Sequence, residues 1–142
     1  MSEEATMLDS IEYRESNDVP KDAVLDLYRA NNWSSANKPN KLHQALLNSH
    51  SLVTAWDGDR LVGLANAISD GFLVVYYPHV VVHPDYQRKG IGRELMARLM
   101  KRYEGFHQHC VMADKNAVAF YESCGFERST CPAMWIYDGD DH

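Results

Sequence analysis

Cysteine is scarce in this chain, and its spacing excludes two kinds of scaffold. The sequence holds three cysteines, Cys110, Cys124 and Cys131, and no two of them have the CxxC spacing. An odd number without that spacing indicates neither a disulfide framework nor a structural zinc site. We therefore expect three reduced thiols.

The sequence also lacks an apolar run long enough to cross a bilayer. Its longest run, residues 72–82, is interrupted by Pro78 and His79 and is much shorter than the roughly 20 residues that a membrane helix needs. The start, MSEEATMLDS, is acidic and polar, without the basic and apolar regions of a signal peptide. These absences predict a cytoplasmic protein with no membrane partner.

Internal repeats and low-complexity segments are missing as well. The length of 142 residues, of which 45% are apolar, suits one ordinary domain with its own core. We expect a single domain over residues 11–137, between a flexible N-terminus (1–10) and a flexible acidic tail (138–142).

Positive charge is the minority sign, but it is concentrated in one place. The chain has 14 Lys and Arg against 20 Asp and Glu, a net charge of −6. Six of the 14 lie within residues 88–102 beside a single acid, Glu94, which gives a local balance of +5. Such a stretch suits a small polyanion, while the overall acidity argues against a nucleic-acid partner. For the distal Arg98, Lys101 and Arg102, a solvated helix face is the alternative.

The basic stretch begins with a strand, a glycine loop and a helix. The β-branched residues 80–82 predict a buried strand. Gly90 and Gly92 have no Cβ, so a ligand can approach the main chain closely there. Apolar residues then recur at helical spacing until Gly105, a typical helix stop. The first turn of this helix directs unpaired N–H groups at the loop 87–92, QRKGIG, which predicts an anion site.

Two common phosphate motifs do not fit this loop. A Walker loop ends in Lys and Ser or Thr, whereas Arg93 and Glu94 follow Gly92 here. A dinucleotide fingerprint needs a third glycine where Leu95 stands. What remains is Gln-x-x-Gly-x-Gly between a strand and a helix. This pattern resembles the acetyl-CoA loop of the GCN5-related N-acetyltransferases (GNAT).

A second motif downstream agrees with this resemblance. Tyr121, Gly125 and Phe126 form the pattern Tyr-x-x-x-Gly-Phe after a further strand, and residues 11–137 can be threaded onto the family fold. The chain is similar to small bacterial members and to plant chloroplast serotonin-type acetyltransferases. The resemblance implies an α/β (α+β) GNAT fold with a central mixed, mostly antiparallel sheet of six to seven strands, about four flanking helices, and splayed strands at the cofactor site.

Local patterns place the elements of this fold. Asp57-Gly58-Asp59 predicts a hairpin, and Pro78 implies a bulge. The predicted strands are 11–15, 51–56, 60–68, 72–82, 107–113, 126–128 and 133–137, and the predicted helices are 19–30, 41–49, 91–103 and 116–124.

The resemblance implies acetyl-CoA as the cofactor and locates its binding residues. Many family members have an asparagine seven residues before the tyrosine; here Asp114 holds that position and Asn116 lies five before Tyr121. Asp114 has the alternative role of capping the helix. The residues implied for cofactor binding are Val80, Val82, Gln87, Arg88, Lys89, Gly90, Ile91, Gly92, Arg93, Asp114 and Asn116.

Tyr121 and His79 are the candidate catalytic residues. A tyrosine with a pKa of about 10 keeps its proton at neutral pH and can give it to a thiolate of pKa about 8.5, and the resemblance places Tyr121 beside the CoA sulfur. Packing in the core is the alternative role for Tyr121. His79 titrates in the range of a general base, or is a structural strand residue. His107 and His109 lack a third ligand in view, so we expect no metal.

The acceptor is a small-molecule amine on this interpretation. An aromatic and acidic pocket of Trp33, Asp70, Tyr76 and Tyr77 would suit a cationic substrate, although aromatic residues in strands usually fill the core. The predicted function is transfer of acetyl from acetyl-CoA to a primary amine by direct attack. A protein or peptide N-acetyltransferase and a non-catalytic CoA-binding module are the alternatives. An open edge strand would allow a homodimer.

Overall fold

A computed structural model of the chain describes residues 10–139. The expected flexible ends, 1–10 and 138–142, lie outside this range except for Ser10, Asp138 and Gly139. Two 3₁₀ helices, Ser34–Asn37 and Pro84–Tyr86, accompany the main elements. These are β1 (Ile11–Arg14), α1 (Lys21–Ala30), α2 (Pro39–Leu47), β2 (Ser51–Asp57), β3 (Arg60–Ser69), β4 (Val74–Tyr76), β5 (Val80–Val82), α3 (Ile91–Lys101), β6 (Gln108–Cys110) and α4 (Val118–Ser123).

The six strands form one mixed sheet, which confirms the predicted fold class. The order is β1-β2-β3-β4-β6, and β5 also pairs with β3. The β4–β6 pair is parallel and the other pairs are antiparallel. None of the helices within residues 10–139 has the length and apolar character needed to cross a membrane.

Helices cover both faces of the sheet around β3, whose residues 61–67 are all buried. On one face α1 and α2 pack against Leu52, Leu64 and Val81. On the other face lies α3, packed so closely that a Cβ on Gly63 would stand 3.1 Å from Leu95 Cδ1. A larger residue at position 63 would require Leu95 to shift by a few tenths of an ångström, so glycine allows α3 to pack closely against the sheet.

A bulge divides the strand that was predicted as continuous over 72–82. Ala65 pairs with Val80 and Ile68 pairs with Tyr76. Residues 66–67 of β3 thus lie opposite the three residues 77–79. One extra residue on one strand of a pair defines a β-bulge. Within the described residues β4 continues into the sheet through β6, whereas β5 pairs with β3 alone. The two strands therefore separate, as the resemblance implied.

The two predicted closing strands are wrong. Residues 126–128 and 133–137 have no strand structure and pair with no other strand of residues 10–139. Met134, Trp135 and Ile136 are 87%, 65% and 106% exposed. Apolar and aromatic residues favour strands because they pack on a sheet, and this segment has no such surface beneath it.

Candidate active site

The loop before α3 leads into main-chain donors that have no acceptor within the helix. Gly90 is the N-cap of α3 and has φ +89°, in the left-handed region that favours glycine. The first helical hydrogen bond runs from the Glu94 N–H to the Gly90 carbonyl (3.0 Å), and no side chain caps the helix. The N–H groups of residues 91–93 therefore have no acceptor within the helix. They form an anion-binding arrangement.

Arg88 has an unusual backbone conformation in the same loop. Its φ is +63°, a region that costs a residue with a Cβ about 1–2 kcal/mol. Strain of this kind persists only where the surrounding structure enforces it, and it is concentrated at functional sites. Residues 88–90 thus turn the chain sharply towards the first turn of α3.

The edge of β5 also presents backbone groups. The His83 N–H donates to the Val62 carbonyl (2.8 Å), and the Asn66 N–H donates to the His79 carbonyl (3.2 Å). Because bonding alternates along an antiparallel strand, the N–H and C=O groups of Val80 and Val82 point away from β3. They face the side on which β5 has no strand neighbour among the described residues.

Gln87 connects the loop to the end of β5 through hydrogen bonds of its side chain. Its Nε2 donates to the Val82 carbonyl (2.9 Å) and to Asn31 Oδ1 at the end of α1 (3.2 Å). These contacts give Gln87 a structural role, because its side-chain amide holds the loop against the end of β5.

The helix α4 packs against the first turn of α3, close to the end of β5. A Cβ on Gly92 would stand 3.3 Å from Phe120 Cε1 and 3.6 Å from Val82 Cγ2. Arg93 donates to the Ser123 carbonyl at the end of α4 (3.2 Å). The predicted cofactor residues Val82, Gly92 and Arg93 therefore meet at one place, between β5, α3 and α4.

The distal basic residues have mainly structural partners. Arg98 pairs with Glu94 (2.8 Å) and lies over the ring of Tyr13, 4.6 Å from its centroid. Arg102 lies 3.5 Å from Glu15 and donates to Ser51 Oγ (3.1 Å). This agrees with a helix face that stabilises the fold, and leaves residues 88–93 as the candidate ligand contacts.

Tyr121 lies half-buried on α4. Its ring packs edge-on against Phe120 and Phe126, with centroids 5.1 and 5.8 Å away. Burial, followed by the nearby Cys124, Asp114 and Tyr76, raises the pKa of the hydroxyl to about 12. Tyr121 is therefore packed against the core and lies close to Tyr76, and its role as a general acid stays a prediction.

Asp114 does not cap α4. The N-cap is Ala117, with no side-chain hydrogen bond, while the Asp114 main-chain carbonyl accepts from the Ala117 N–H (2.8 Å). The capping alternative is therefore corrected: α4 begins too far along the chain for Asp114 to be its N-cap. Asn116 is exposed.

His79 lies in the bulge between β4 and β5. Its Nδ1 is 2.9 Å from the Tyr28 hydroxyl, and its ring centroid is 5.4 Å from that of Trp33. Its N–H donates to Asn66 Oδ1 (3.0 Å). The structure thus brings together His79 and Trp33, two of the residues predicted for catalysis and acceptor binding.

Two of the predicted acceptor residues have other positions. Tyr77 is 1% exposed, and its hydroxyl bonds to His109 Nδ1 (2.8 Å), so it cannot line an open pocket beside Tyr76. The Asp70 carboxylate accepts the N–H groups of residues 72–74, at 2.8 to 3.2 Å. These bonds lower the pKa of Asp70 and give it a turn-forming role.

Sequence reasoning missed Tyr28 and Asn66. Asn66 is 4% exposed, and its Nδ2 donates to Ser49 Oγ (3.1 Å) while its Oδ1 holds His79. A signal existed for Asn66, since it is the polar residue within the apolar run LVGLANAI. Tyr28 gave none, because its ring fits the apolar face of α1.

No metal centre is evident in residues 10–139, where no group of three His, Cys, Asp or Glu residues could hold an ion. A groove of about 570 Å³ lies beside the end of β5, lined by Ala23, Asp26, Leu27, Asp59, Arg60, Leu61 and His83. It contains none of the predicted site residues. The candidate site is therefore defined by backbone geometry and not by this groove.

The fold is shared with solved acetyltransferases. A GNAT family acetyltransferase, SP0256 from Streptococcus pneumoniae TIGR4, has a TM-score of 0.76 and 34% identity, covering 89% of this chain and 98% of that one. The aminoglycoside N-acetyltransferase AAC(6')-Iy, solved in complex with CoA, has a TM-score of 0.69 at 14% identity and covers 89% and 94% of the two chains. That second likeness shows the fold alone.

Sequence comparison defines the family. A family model described as an acetyltransferase (GNAT) domain matches residues 15–133, so this chain belongs to the GNAT family. An N-acetyltransferase named ycf52, uncharacterized, from Gracilaria tenuistipitata var. liui is 41% identical over 68 residues, 46% of this chain and 37% of the relative. The chain spans 37 to 51% of the length of three such curated relatives.

Proposed function

We propose that the protein transfers an acetyl group from acetyl-CoA to the primary amine of a small molecule. The observation that carries the proposal is the cluster of unpaired N–H groups at residues 91–93, next to the outward-facing backbone of Val80 and Val82. A pyrophosphate suits the first feature, and an amide-containing arm suits the second. The two features are adjacent at Gly92, where a Cβ would stand 3.6 Å from Val82 Cγ2.

The residues of this chain would act in three ways. Residues 87–93 would hold the phosphates, and the backbone of Val80 and Val82 would align the extended arm. When bound, acetyl-CoA supplies the activated thioester. A new N–C bond would form as the C–S bond breaks, the amine would release its proton to water, and Tyr121 would give its hydroxyl proton to the departing thiolate and regain one from water.

The proposed acceptor class rests on two aromatic residues, Trp33 beside His79 and Tyr76 near Tyr121. Trp33 and Tyr76 offer aromatic surface, and the net charge of −6 favours a cationic amine. A solved relative in fold, an aminoglycoside acetyltransferase from an uncultured soil metagenomic sample, was crystallised with sisomicin. We propose a small polar amine for this chain, with proteins and peptides as the competing acceptors.

The cofactor site can be tested by measuring CoA binding after each of two matched glycines is changed to alanine. Gly90 and Gly105 have φ of +89° and +83°, and a Cβ on either meets no atom within 4 Å. Alanine should therefore strain both positions alike, by about 1–2 kcal/mol. We expect Gly90→Ala to weaken CoA binding in calorimetry by about tenfold or more, since an anionic hydrogen bond contributes about 1.5–3 kcal/mol. Gly105→Ala should bind CoA as the wild type does.

Turnover is tested separately by thiol release from acetyl-CoA with a panel of amines and peptides. Small amines should be acetylated, with the product confirmed by mass spectrometry. CoA binding without turnover of any acceptor would favour the non-catalytic module. Equal loss of CoA affinity in the two alanine variants would refute the loop assignment.

A further inference from the structure

A buried hydroxyl contacts the imidazole of His79. Tyr28 on α1 is fully buried, and its oxygen lies 2.9 Å from His79 Nδ1. The two ring centroids are 5.5 Å apart, and Trp33 lies 5.6 Å from Tyr28 and 5.4 Å from His79. Three aromatic rings thus fix the orientation of one another.

The main chain of His79 is held as firmly as its ring. Its N–H donates to Asn66 Oδ1 (3.0 Å), and its carbonyl accepts from the Asn66 N–H (3.2 Å). Asn66 is in turn bonded to Ser49, which donates to the Ala45 carbonyl in α2 (2.8 Å). Because both backbone and ring are held, Nδ1 stays in reach of Tyr28.

The hydrogen of the Tyr28–His79 bond belongs to Tyr28. Burial raises the pKa of this phenol above its usual range, so the oxygen keeps its hydrogen. A buried donor without an acceptor costs about 1–3 kcal/mol, and within residues 10–139 the hydroxyl's hydrogen-bond partner is Nδ1 of His79. That nitrogen must then offer a lone pair, and a neutral imidazole with a lone pair on Nδ1 carries its hydrogen on Nε2.

We propose that Tyr28 is a positioning residue that keeps His79 in the Nε2–H tautomer. In this tautomer Nε2 donates a hydrogen bond and has no lone pair with which to take a proton. His79 then serves acceptor binding, and the proton of the amine passes to water. The tautomer stands independently of catalysis, whereas its consequence for the amine rests on the proposed acetyl transfer.

Long-range ¹H–¹⁵N correlation spectra of the labelled protein test the tautomer at about pH 8, above the ordinary histidine pKa. His79→Gln identifies the His79 signals by their loss. We expect a hydrogen-bearing Nε2 and a lone-pair Nδ1 in the wild type, and averaged shifts in Tyr28→Phe. As a control, Tyr103→Phe removes a buried hydroxyl that lies 2.7 Å from His50 Nδ1, and should move the His50 signals alone. Hydrogen on Nδ1 in the wild type, or unchanged shifts in Tyr28→Phe, would overturn the proposal.

Rescue by a conservative variant tests the consequence. Glutamine keeps an N–H donor near the Nε2 position and cannot titrate, so kcat/KM of His79→Gln should exceed that of His79→Ala by about tenfold. A general base would leave both variants about 10²–10⁴-fold below the wild type, and that result would contradict a donor role. If the wild type acetylates no amine, the proposed function fails, while the spectra still decide the tautomer.

Discussion

The hydroxyl of Tyr121 combines two properties that a proton donor to a thiolate needs. Its ring is held between Phe120 and Phe126, which limits its rotamers. Its raised pKa, about 12, keeps the proton on the oxygen at neutral pH, and the same rise makes transfer to a thiolate of pKa about 8.5 less favourable than from an ordinary tyrosine. The phenol therefore remains protonated as pH rises until it approaches this folded-state value, and it is available as an acid throughout the neutral range.

Tyr121→Phe removes the hydroxyl and keeps the ring, so it tests the role of the hydroxyl alone. The variant keeps the aromatic packing, so its unfolding midpoint and CoA affinity should stay near the wild type. We expect kcat to fall by about 10²-fold, the lower end of the effect of general acid–base catalysis. Stopped-flow or steady-state thiol release measures the change.

Tyr13→Phe is the matched control, because Tyr13 on β1 is another half-buried tyrosine with a raised pKa. Retention of most of the wild-type kcat in Tyr121→Phe would remove the acid assignment and leave core packing.

At the scale of the element, one asparagine bonds to the bulge that separates β4 and β5. Pro78 has no N–H to give to β3, and the extra residue of the bulge displaces the ladder there. Asn66 compensates with its side chain, which takes the His79 N–H that the ladder leaves unpaired. The side chain is buried, so its bonds are not replaced by water when they are lost.

Asn66→Leu should therefore destabilise the fold. The change leaves the His79 N–H and the Ser49 hydroxyl without this partner, and we expect the free energy of unfolding to fall by about 1–3 kcal/mol. Asn48→Leu is the control, since it removes an exposed bond from Nδ2 to the Gln44 carbonyl (2.8 Å) and should cost within about 0.5 kcal/mol. Urea unfolding measures both. Equal losses in the two variants would show that Asn66 does not support the bulge.

The sequence predicted the local elements better than the long-range ones. Residues 51–56 and 60–68 were placed within one residue of β2 and β3, because Asp57-Gly58-Asp59 marks the turn between them. The split of residues 72–82 includes bonds to Asn66, a residue of a different strand, so a local pattern predicted the bulge but not where pairing ends. Residues 133–137 have strand propensity without a partner in the described structure, and propensity alone gave a wrong strand there.

The residues of the candidate site show the same difference between local patterns and long-range contacts. The loop 87–92 was identifiable because glycine, charge and helix start coincide within six residues. Tyr77 was misplaced because successive residues of a strand face opposite sides, and the bulge hides which side is the core. The Tyr28–His79 contact joins residues 51 positions apart. No pattern within one element contains that information.

At the scale of the whole molecule, the charge distribution sets how CoA would be attracted. The protein is acidic overall, so its basic stretch provides a local attraction within a repulsive field. Lys101 is ten residues beyond the first residue of α3, or ~15 Å along the helix axis. This exceeds the Debye length of about 10 Å at about 0.1 M salt. Arg88, by contrast, lies within the loop.

Arg88→Gln and Lys101→Gln remove the same charge from these two positions. We expect Arg88→Gln to weaken CoA binding by about tenfold at low salt, because a charged hydrogen bond to phosphate is lost, and Lys101→Gln to weaken it less than about twofold. The difference should shrink as salt is raised from about 0.01 M to about 1 M, since the Debye length falls from about 30 to about 3 Å. Calorimetric titration at several salt concentrations measures it. Equal effects of the two variants at low salt would mean that the basic stretch acts as a diffuse field, and that residues 87–93 do not contact the phosphates individually.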